Sequence, residues 1–178
     1  MAPERYPRAL VLLHWVLAAL ILFSLAMGML SLASIPNGSP DKVFALRGHM
    51  VAGIAILVLM LVRLAVRLAS PRPAPARTGI ALADALAPLV HYAFYVVVVL
   101  MALSGIALAV QAGLPAIVFG GSGAPLPETF AGLAPRAAHG VLSRILLLLV
   151  ALHVLGALYH QLVRRDRLLA RMGLGKSR

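Results

Sequence analysis

The chain has 178 residues, of which 62% are hydrophobic and only 12% are charged. This balance lies far from that of a soluble globular domain and predicts an integral membrane protein. The sequence contains no cysteine. This excludes disulfides, thiolate-held iron–sulfur clusters, covalently attached haem and blue-copper sites.

Four apolar segments are each long enough to cross a bilayer, which takes about 20 residues. We predict helices over about residues 8–35, 44–69, 82–112 and 136–165, within a single domain that covers residues 1–178. The predicted fold is all-α, a four-helix transmembrane bundle. The connector after the second helix is rich in proline and should be extended. In the connection before the last helix, the apolar residues 114–119 carry no strong helical signal.

The net charge of +11 is distributed unevenly along the chain. Since positively charged loops stay in the cytoplasm, the distribution predicts that both termini are cytoplasmic. The basic charge therefore reflects topology and gives no reason to expect nucleic-acid binding. The first apolar segment is also too long for a cleaved signal peptide. Twelve cations lie in the amino terminus, the second connection and the tail, against three in the other two connections: Arg5, Arg8, Arg63, Arg67, Arg72, Arg77, Arg164, Arg165, Arg167, Arg171, Lys176 and Arg178, against Lys42, Arg47 and Arg136.

All six histidines fall inside the predicted spans. Ionisable side chains are costly in a membrane, so the default interpretation is a functional site. A single one could serve only to hydrogen-bond two helices, but six in four spans favour ligands of a metal or haem. The acidic residues all lie outside the spans or at their ends, which leaves histidine as the ligand. The six are His14, His49, His91, His139, His153 and His160.

The spacing on the last helix predicts two stacked cofactors. His139 and His153 are fourteen residues apart, which separates them by about 21 Å in height and about 40° in direction. His160 follows seven residues later, about 20° out of line. The three side chains therefore share one stripe that faces the interior of the bundle.

Depth in the membrane predicts a pair at the outer end. His139 lies three residues inside Arg136, and His49 lies two residues inside Arg47. The two histidines are thus at matching heights on antiparallel helices, where they can bind one haem from opposite sides.

Depth leaves the inner pair open. His14, His91, His153 and His160 all lie in the inner half, and there are two ligand positions to fill. Two side chains seven residues apart on one helix cannot bind an iron from opposite sides. The last helix therefore supplies only one of its two inner histidines.

At these residues the chain resembles the bacterial cytochrome b561 family of small inner-membrane proteins. The resemblance extends over nearly the whole chain. It consists of short motifs that are specific to the family when their order and spacing are taken together. They are Arg8 with Leu13-His14-Trp15, Arg47-x-His49, Leu61-Val62-Arg63-Leu64, Arg67 before Pro71-x-Pro73-x-Pro75, His91-Tyr92 with Tyr95, Leu152-His153-x-x-x-Ala157-Leu158-x-His160, and Arg165-Asp166-x-Leu168-x-x-Arg171-Met172.

The resemblance implies two haem b groups, whose irons are bound by His14 with His153 on the inner side and by His49 with His139 on the outer side. It implies a multi-pass protein of the bacterial inner membrane that passes electrons from superoxide to ubiquinone, which favours an oxidoreductase. His91 and His160 are left over. They are candidates for a quinone site or for proton delivery, and equally for hydrogen bonds between helices.

Some residues depart from the family pattern. Members often carry Trp-His-Glu at the outer ligand of the last helix, where this chain has Ala138-His139-Gly140. The departure changes the surroundings of the outer ligand, where the donor would bind, and keeps the ligand itself. Arg47 and Arg136 are candidates for contacts to haem propionates or superoxide. Arg144 lies about 140° from the histidine stripe, and it suits either a propionate or snorkelling to the surface.

Two other functions fit the same sequence. The chain could be a membrane cytochrome subunit that carries electrons between a partner dehydrogenase or hydrogenase and the quinone pool. It could also be a haem-free transporter or assembly factor. Broken helices and repeat symmetry, which transporters use, are not evident in the sequence.

Overall fold

The computed structural model describes residue 3 and residues 5–175. These residues form helices, turns and loops, and no β-strand occurs among them. Three elements extend or follow the long helices: π-helical turns at Met27–Ser31 and Tyr159–Arg164, and a 3-10 turn at Leu168–Met172. The α-helices are α1 Arg8–Ala26, α2 Pro40–Ala69, α3 Ala81–Gln111, α4 Leu114–Val118 and α5 Ala134–Leu158.

Four of these helices are long and apolar enough to span a membrane, as the sequence predicts. With their π-helical turns they contain 24, 30, 31 and 31 residues. At 1.5 Å per residue, even the shortest exceeds the hydrocarbon core of about 30 Å. Large apolar side chains cover their outer surfaces; Leu30 and Leu68, for example, are more than 70% exposed. These exposed side chains form the surface that lipid covers.

The interior of the bundle is a cluster of interlocking apolar side chains from all four long helices. α1 packs on α2, α2 on α3, and α3 on α5. In a membrane such packing holds helices together through van der Waals contact, because lipid tails are as apolar as the side chains. The buried members are Leu17, Ile21, Leu25, Ile56, Met60, Tyr95, Val98 and Leu146.

Helix α2 begins at Pro40, four residues before its predicted start. Ser39 caps the helix by accepting a hydrogen bond from the backbone N–H of Asp41, with proline at the first helical position. The buried Lys42 donates to the carbonyls of Leu32 and Ile35 at the end of the preceding segment. These bonds explain how a lysine is accommodated in the first turn of a spanning helix.

The connection between α3 and α5 contains the short helix α4, which the sequence did not indicate. Val118 of α4 is fully buried, in a second apolar cluster that includes Leu46 and Ala109. The Arg47 guanidinium donates to the Val118 carbonyl from Nε at 3.0 Å and Nη2 at 2.6 Å. Helix α4 is therefore held against α2 and α3 by tertiary contacts, since five residues have little helical stability of their own.

The two ends of the described chain meet at the other end of the bundle. Trp15 Nε1 donates to the carbonyl of Met172 at 3.0 Å, and the backbone N–H of Tyr6 donates to the carbonyl of Arg171. Arg171 also donates to the carbonyl of Ala74 in the proline-rich connector. Both termini thus lie on the same side, as four spans require; that this side is cytoplasmic stays a prediction from the charge distribution.

Candidate functional site

The outer pair of histidines lies between α2 and α5. The ring centroids of His49 and His139 are 6.1 Å apart, and their planes are inclined by 77°. His49 lies nine residues into α2 and His139 five residues into α5. The structure therefore brings together the two histidines that depth alone had matched.

The hydrogen bonds of His139 fix its tautomer. Its Nδ1 lies 3.0 Å from Ser104 Oγ and 3.1 Å from the carbonyl oxygen of Met101, and Ser104 Oγ donates its own proton to that same carbonyl. A carbonyl can only accept, so Nδ1 carries the proton and donates it. Nε2 of the neutral ring then keeps its lone pair for a metal. Nδ1 of His49, in contrast, is buried with no hydrogen-bond partner among the described residues.

Two glycines lie against this outer pair. A Cβ on Gly28, in the π-helical turn after α1, would come within 3.6 Å of His49 Cε1. A Cβ on Gly105 of α3 would come within 3.1 Å of His139 Cε1, which is closer than most real contacts. Glycine at these positions leaves both rings room to face each other.

The inner histidines form a cluster around His153 of α5. The ring of His14 on α1 lies 5.9 Å from it and the ring of His91 on α3 lies 5.4 Å from it, both measured between centroids. Phe94 packs on the same ring at 5.6 Å. Nδ1 of His91 lies 2.7 Å from the Ala87 carbonyl and therefore donates to it. Both His14 and His91 thus remain near enough to pair with His153.

His160 belongs to a different arrangement. It is buried in the π-helical turn Tyr159–Arg164, and its Nδ1 lies 2.6 Å from a carboxylate oxygen of Asp166. The turn departs from the 100° step that placed His160 on the stripe of His139 and His153. The structure thus separates this histidine from the ring cluster. Helical geometry could not predict its pairing with Asp166, because Asp166 lies beyond the helix.

Each facing pair fits a bis-imidazole metal centre. Bonds of about 2 Å from a metal to each ring nitrogen place the ring centroids about 6 Å apart, close to the 5.9 and 6.1 Å found here. Within residue 3 and residues 5–175, no three His, Asp or Glu side chains gather as a metal-binding group. Each pair therefore offers two protein ligands, the number that an iron porphyrin leaves open.

The arginines that the sequence marked have distinct surroundings. Arg47 is bound to the Val118 carbonyl, and Arg136 extends along Gly140, one residue from His139. Arg144 is exposed on the surface of α5. Of these three, Arg47 and Arg136 lie at the outer end with the outer histidine pair.

Arg63 is a site residue that the sequence reasoning missed. It donates a hydrogen bond to the hydroxyl of Tyr95, and its guanidinium carbon lies 5.6 Å above the centroid of that ring. Both residues occur in the segments that carry the family resemblance, but only the fold shows that α2 and α3 bring them together beside the inner histidines.

The chain is similar in sequence to several known bacterial proteins. The chain is 30% identical over 180 residues to cytochrome b561 homolog 2 of Escherichia coli, covering 98% of this chain and 94% of that protein. It is 32% identical over 126 residues to a probable superoxide oxidase, CybB, of Yersinia pestis, covering 70% and 72%. It is 29% identical over 170 residues to cytochrome b562 of Cereibacter sphaeroides, covering 94% of each.

The sequence profile of prokaryotic cytochrome b561 matches residues 5–175, which is almost the whole chain. Proteins of this family bind haem b and transfer electrons in the membrane. The chain, with four helices long and apolar enough to span a membrane, belongs to the prokaryotic cytochrome b561 family.

Proposed function

We propose that this protein is a two-haem b cytochrome of the bacterial inner membrane that oxidises superoxide at the periplasmic face and reduces ubiquinone on the cytoplasmic side. The observation that supports it is that two histidines of α5, at different heights, each face a histidine of another helix. The two are His139 and His153, and fourteen residues, or about 21 Å, separate them along α5.

In this proposal His49 and His139 bind the outer iron, while His14 and His153 bind the inner one. When bound, haem b supplies one-electron iron chemistry at each position. The chain's own residues orient the ligands; the Met101 carbonyl fixes the ring of His139 through Nδ1. The apolar side chains of Ile56, Met60 and Val98 exclude water between the two levels.

The proposed reaction is balanced for electrons and protons. Two superoxide ions are each oxidised to dioxygen, and one ubiquinone takes up the two electrons and two protons to become ubiquinol. The positive side chains of Arg47 and Arg136 lie at the outer end, where they raise the local concentration of an anionic donor. The name of the Yersinia relative supports this donor.

His91 and His160 are the proposed proton-handling residues for the quinone. Nδ1 of each is committed, to the Ala87 carbonyl and to the Asp166 carboxylate, so that each presents Nε2 to a further partner. With Nδ1 hydrogen-bonded, Nε2 of each ring can take up a proton and pass it to the quinone.

The first experiment is to measure haem per chain in purified protein by pyridine haemochrome, together with the dithionite-reduced minus oxidised spectrum. We expect two b-type haems per chain. His49→Ala and His153→Ala should each reduce the content to one haem and remove different components of the α band. Wild-type protein that binds no haem when haem is available during expression would contradict the proposal.

The second experiment separates the proposed enzyme from a relay subunit. Purified protein is supplied with superoxide and a soluble ubiquinone analogue, and quinol formation is followed with and without superoxide dismutase. Quinol that forms without any partner and is suppressed by the dismutase supports superoxide oxidation. Two-haem protein that forms no quinol under these conditions would favour a subunit served by a partner dehydrogenase or hydrogenase.

A further inference from the structure

Arg63 lies unusually deep for a charged side chain. It is six residues before Ala69, where α2 ends, and therefore about 9 Å inside that helix end. His14 is six residues after Arg8, where α1 begins, so the two residues lie at matching depth. A charged side chain at such a position is costly and is kept where a partner compensates it.

The protein itself compensates Arg63 only in part. The buried Tyr95 hydroxyl accepts one hydrogen bond from Nη1, and the ring below adds a cation–π contact. A guanidinium has five N–H donors, and the tyrosine hydroxyl still has its own proton to donate. Within the part of the chain that the structure describes, no carboxylate lies at ion-pairing distance from Arg63.

These unused donors lie beside the inner histidine cluster. The charge of Arg63 is within electrostatic reach of His14, His91 and His153, which come from three different helices. Arg67, one turn nearer the helix end, lies over the ring of Tyr92 at 5.7 Å and reaches only His91 of these three histidines. The uncompensated cation therefore belongs to the inner site.

We propose that Arg63 and Tyr95 form an anion site that binds a propionate carboxylate of the inner haem. This proposal rests on the proposed function, in which haem b is bound by His14 and His153. A carboxylate can take two parallel N–H bonds from the guanidinium and one O–H bond from the tyrosine, which satisfies the donors and neutralises the charge. A quinone is neutral at rest and offers less compensation.

The site also influences the electron affinity of the inner iron. A positive charge nearby stabilises the reduced centre, which carries one electron more. Removing that charge should therefore lower the midpoint potential. For Arg63→Gln we expect at least a tenfold higher ratio of oxidised to reduced inner haem at fixed ambient potential, equivalent to about 59 mV for one electron.

The experiment is a redox titration of quinone-free, purified protein, with Arg72→Gln as the control. Arg72 is exposed in the inner connector, so its replacement makes the same change in net charge where water and salt screen it. We expect Arg63→Gln to shift the inner haem and leave the outer haem unchanged, while Arg72→Gln shifts neither. An unchanged inner potential in Arg63→Gln would overturn the proposal.

A second measurement keeps the test decisive if Arg63→Gln fails to fold or to retain haem. Arg63→Lys keeps the charge but loses the planar fork, and Tyr95→Phe loses the hydroxyl. Infrared difference spectra of protein loaded with haem labelled with 13C at the propionates should show displaced carboxylate bands in both variants. Unchanged bands would exclude propionate binding, and an effect confined to quinone reduction would assign the site to quinone instead.

These outcomes are distinct from those that test the proposed function. Wild-type protein with fewer than two haems contradicts the two-haem cytochrome. Wild-type protein with two haems, combined with unaltered potentials and bands in the Arg63 and Tyr95 variants, contradicts only the anion site.

Discussion

At the scale of single residues, the geometry of the outer histidine pair depends on the absence of a side chain at Gly105. Gly105 lies so close to His139 that one added methyl group would meet the ring at 3.1 Å. The ring cannot move away from α3 freely, because its Nδ1 is hydrogen-bonded to the carbonyl of Met101, which lies on α3 together with Gly105. Glycine lowers the stability of a helix, but the absence of a Cβ at this position leaves space for the ring.

We therefore expect Gly105→Ala to lower occupancy of the outer haem while the inner haem is kept. The matched control is Gly53→Ala on α2, where an added Cβ would meet nothing within 4 Å. That change should leave both haems in place and stabilise the helix by up to about 1 kcal/mol. Haem per chain and the thermal unfolding midpoint measure the two effects. Equal haem content in both variants would show that the close contact is harmless.

His91 competes with His14 as the partner of His153, since its ring is nearer to His153 than the ring of His14 is. If His14 is the ligand, His91→Ala should retain two haems but reduce quinone at least tenfold more slowly, because a positioned proton donor typically contributes 10²- to 10⁴-fold. His14→Ala should lose the inner haem. The reverse pattern of haem loss would make His91 the ligand.

At the scale of elements, hydropathy predicted the four spans but not what happens at their ends. The start of α2 was placed too late because Lys42 has the charge of a loop residue; the fold buries it against carbonyls of the preceding segment. Helix α4 escaped prediction because its stability comes from long-range contacts with Arg47 and the second apolar cluster. Such contacts have no signature in a local stretch of sequence.

A substitution can separate the hydrogen bonds between Arg47 and α4 from the effect of the positive charge of Arg47. Arg47→Lys keeps the positive charge but cannot donate from two nitrogens to the Val118 carbonyl. We expect faster amide hydrogen exchange across residues 114–119 in this variant, with both haems retained. If superoxide attraction needs only charge, its oxidation should change little. Exchange rates equal to those of the wild type would show that apolar packing alone holds α4.

At the scale of the whole molecule, charge distribution and helix count predicted a topology that the fold supports in one respect. The amino-terminal segment, the proline-rich connector and the end of the chain share hydrogen bonds at one end of the bundle. Which side of the membrane that end faces is a property of insertion. The distribution of arginines predicts that this end is cytoplasmic.

Reporter fusions test this orientation. Fluorescent protein fused after Gly175 should fluoresce, and alkaline phosphatase at the same position should be inactive, because positively charged segments stay in the cytoplasm. Phosphatase inserted after Gly121, in the exposed loop beyond α4, should be active. The opposite pattern at both positions would reverse the assignment of the outer and inner sites.

The placement of the histidines also sets the order of events in biosynthesis. Helix α5 contributes one histidine to each facing pair, and the partners come from the first two helices. Neither pair therefore exists while the ribosome is still making the first three spans. If the two facing pairs bind the proposed haems, cofactor loading follows insertion of the last span. A chain that ends before α5 then lacks a ligand at both levels, and nonsense fragments retain neither haem site.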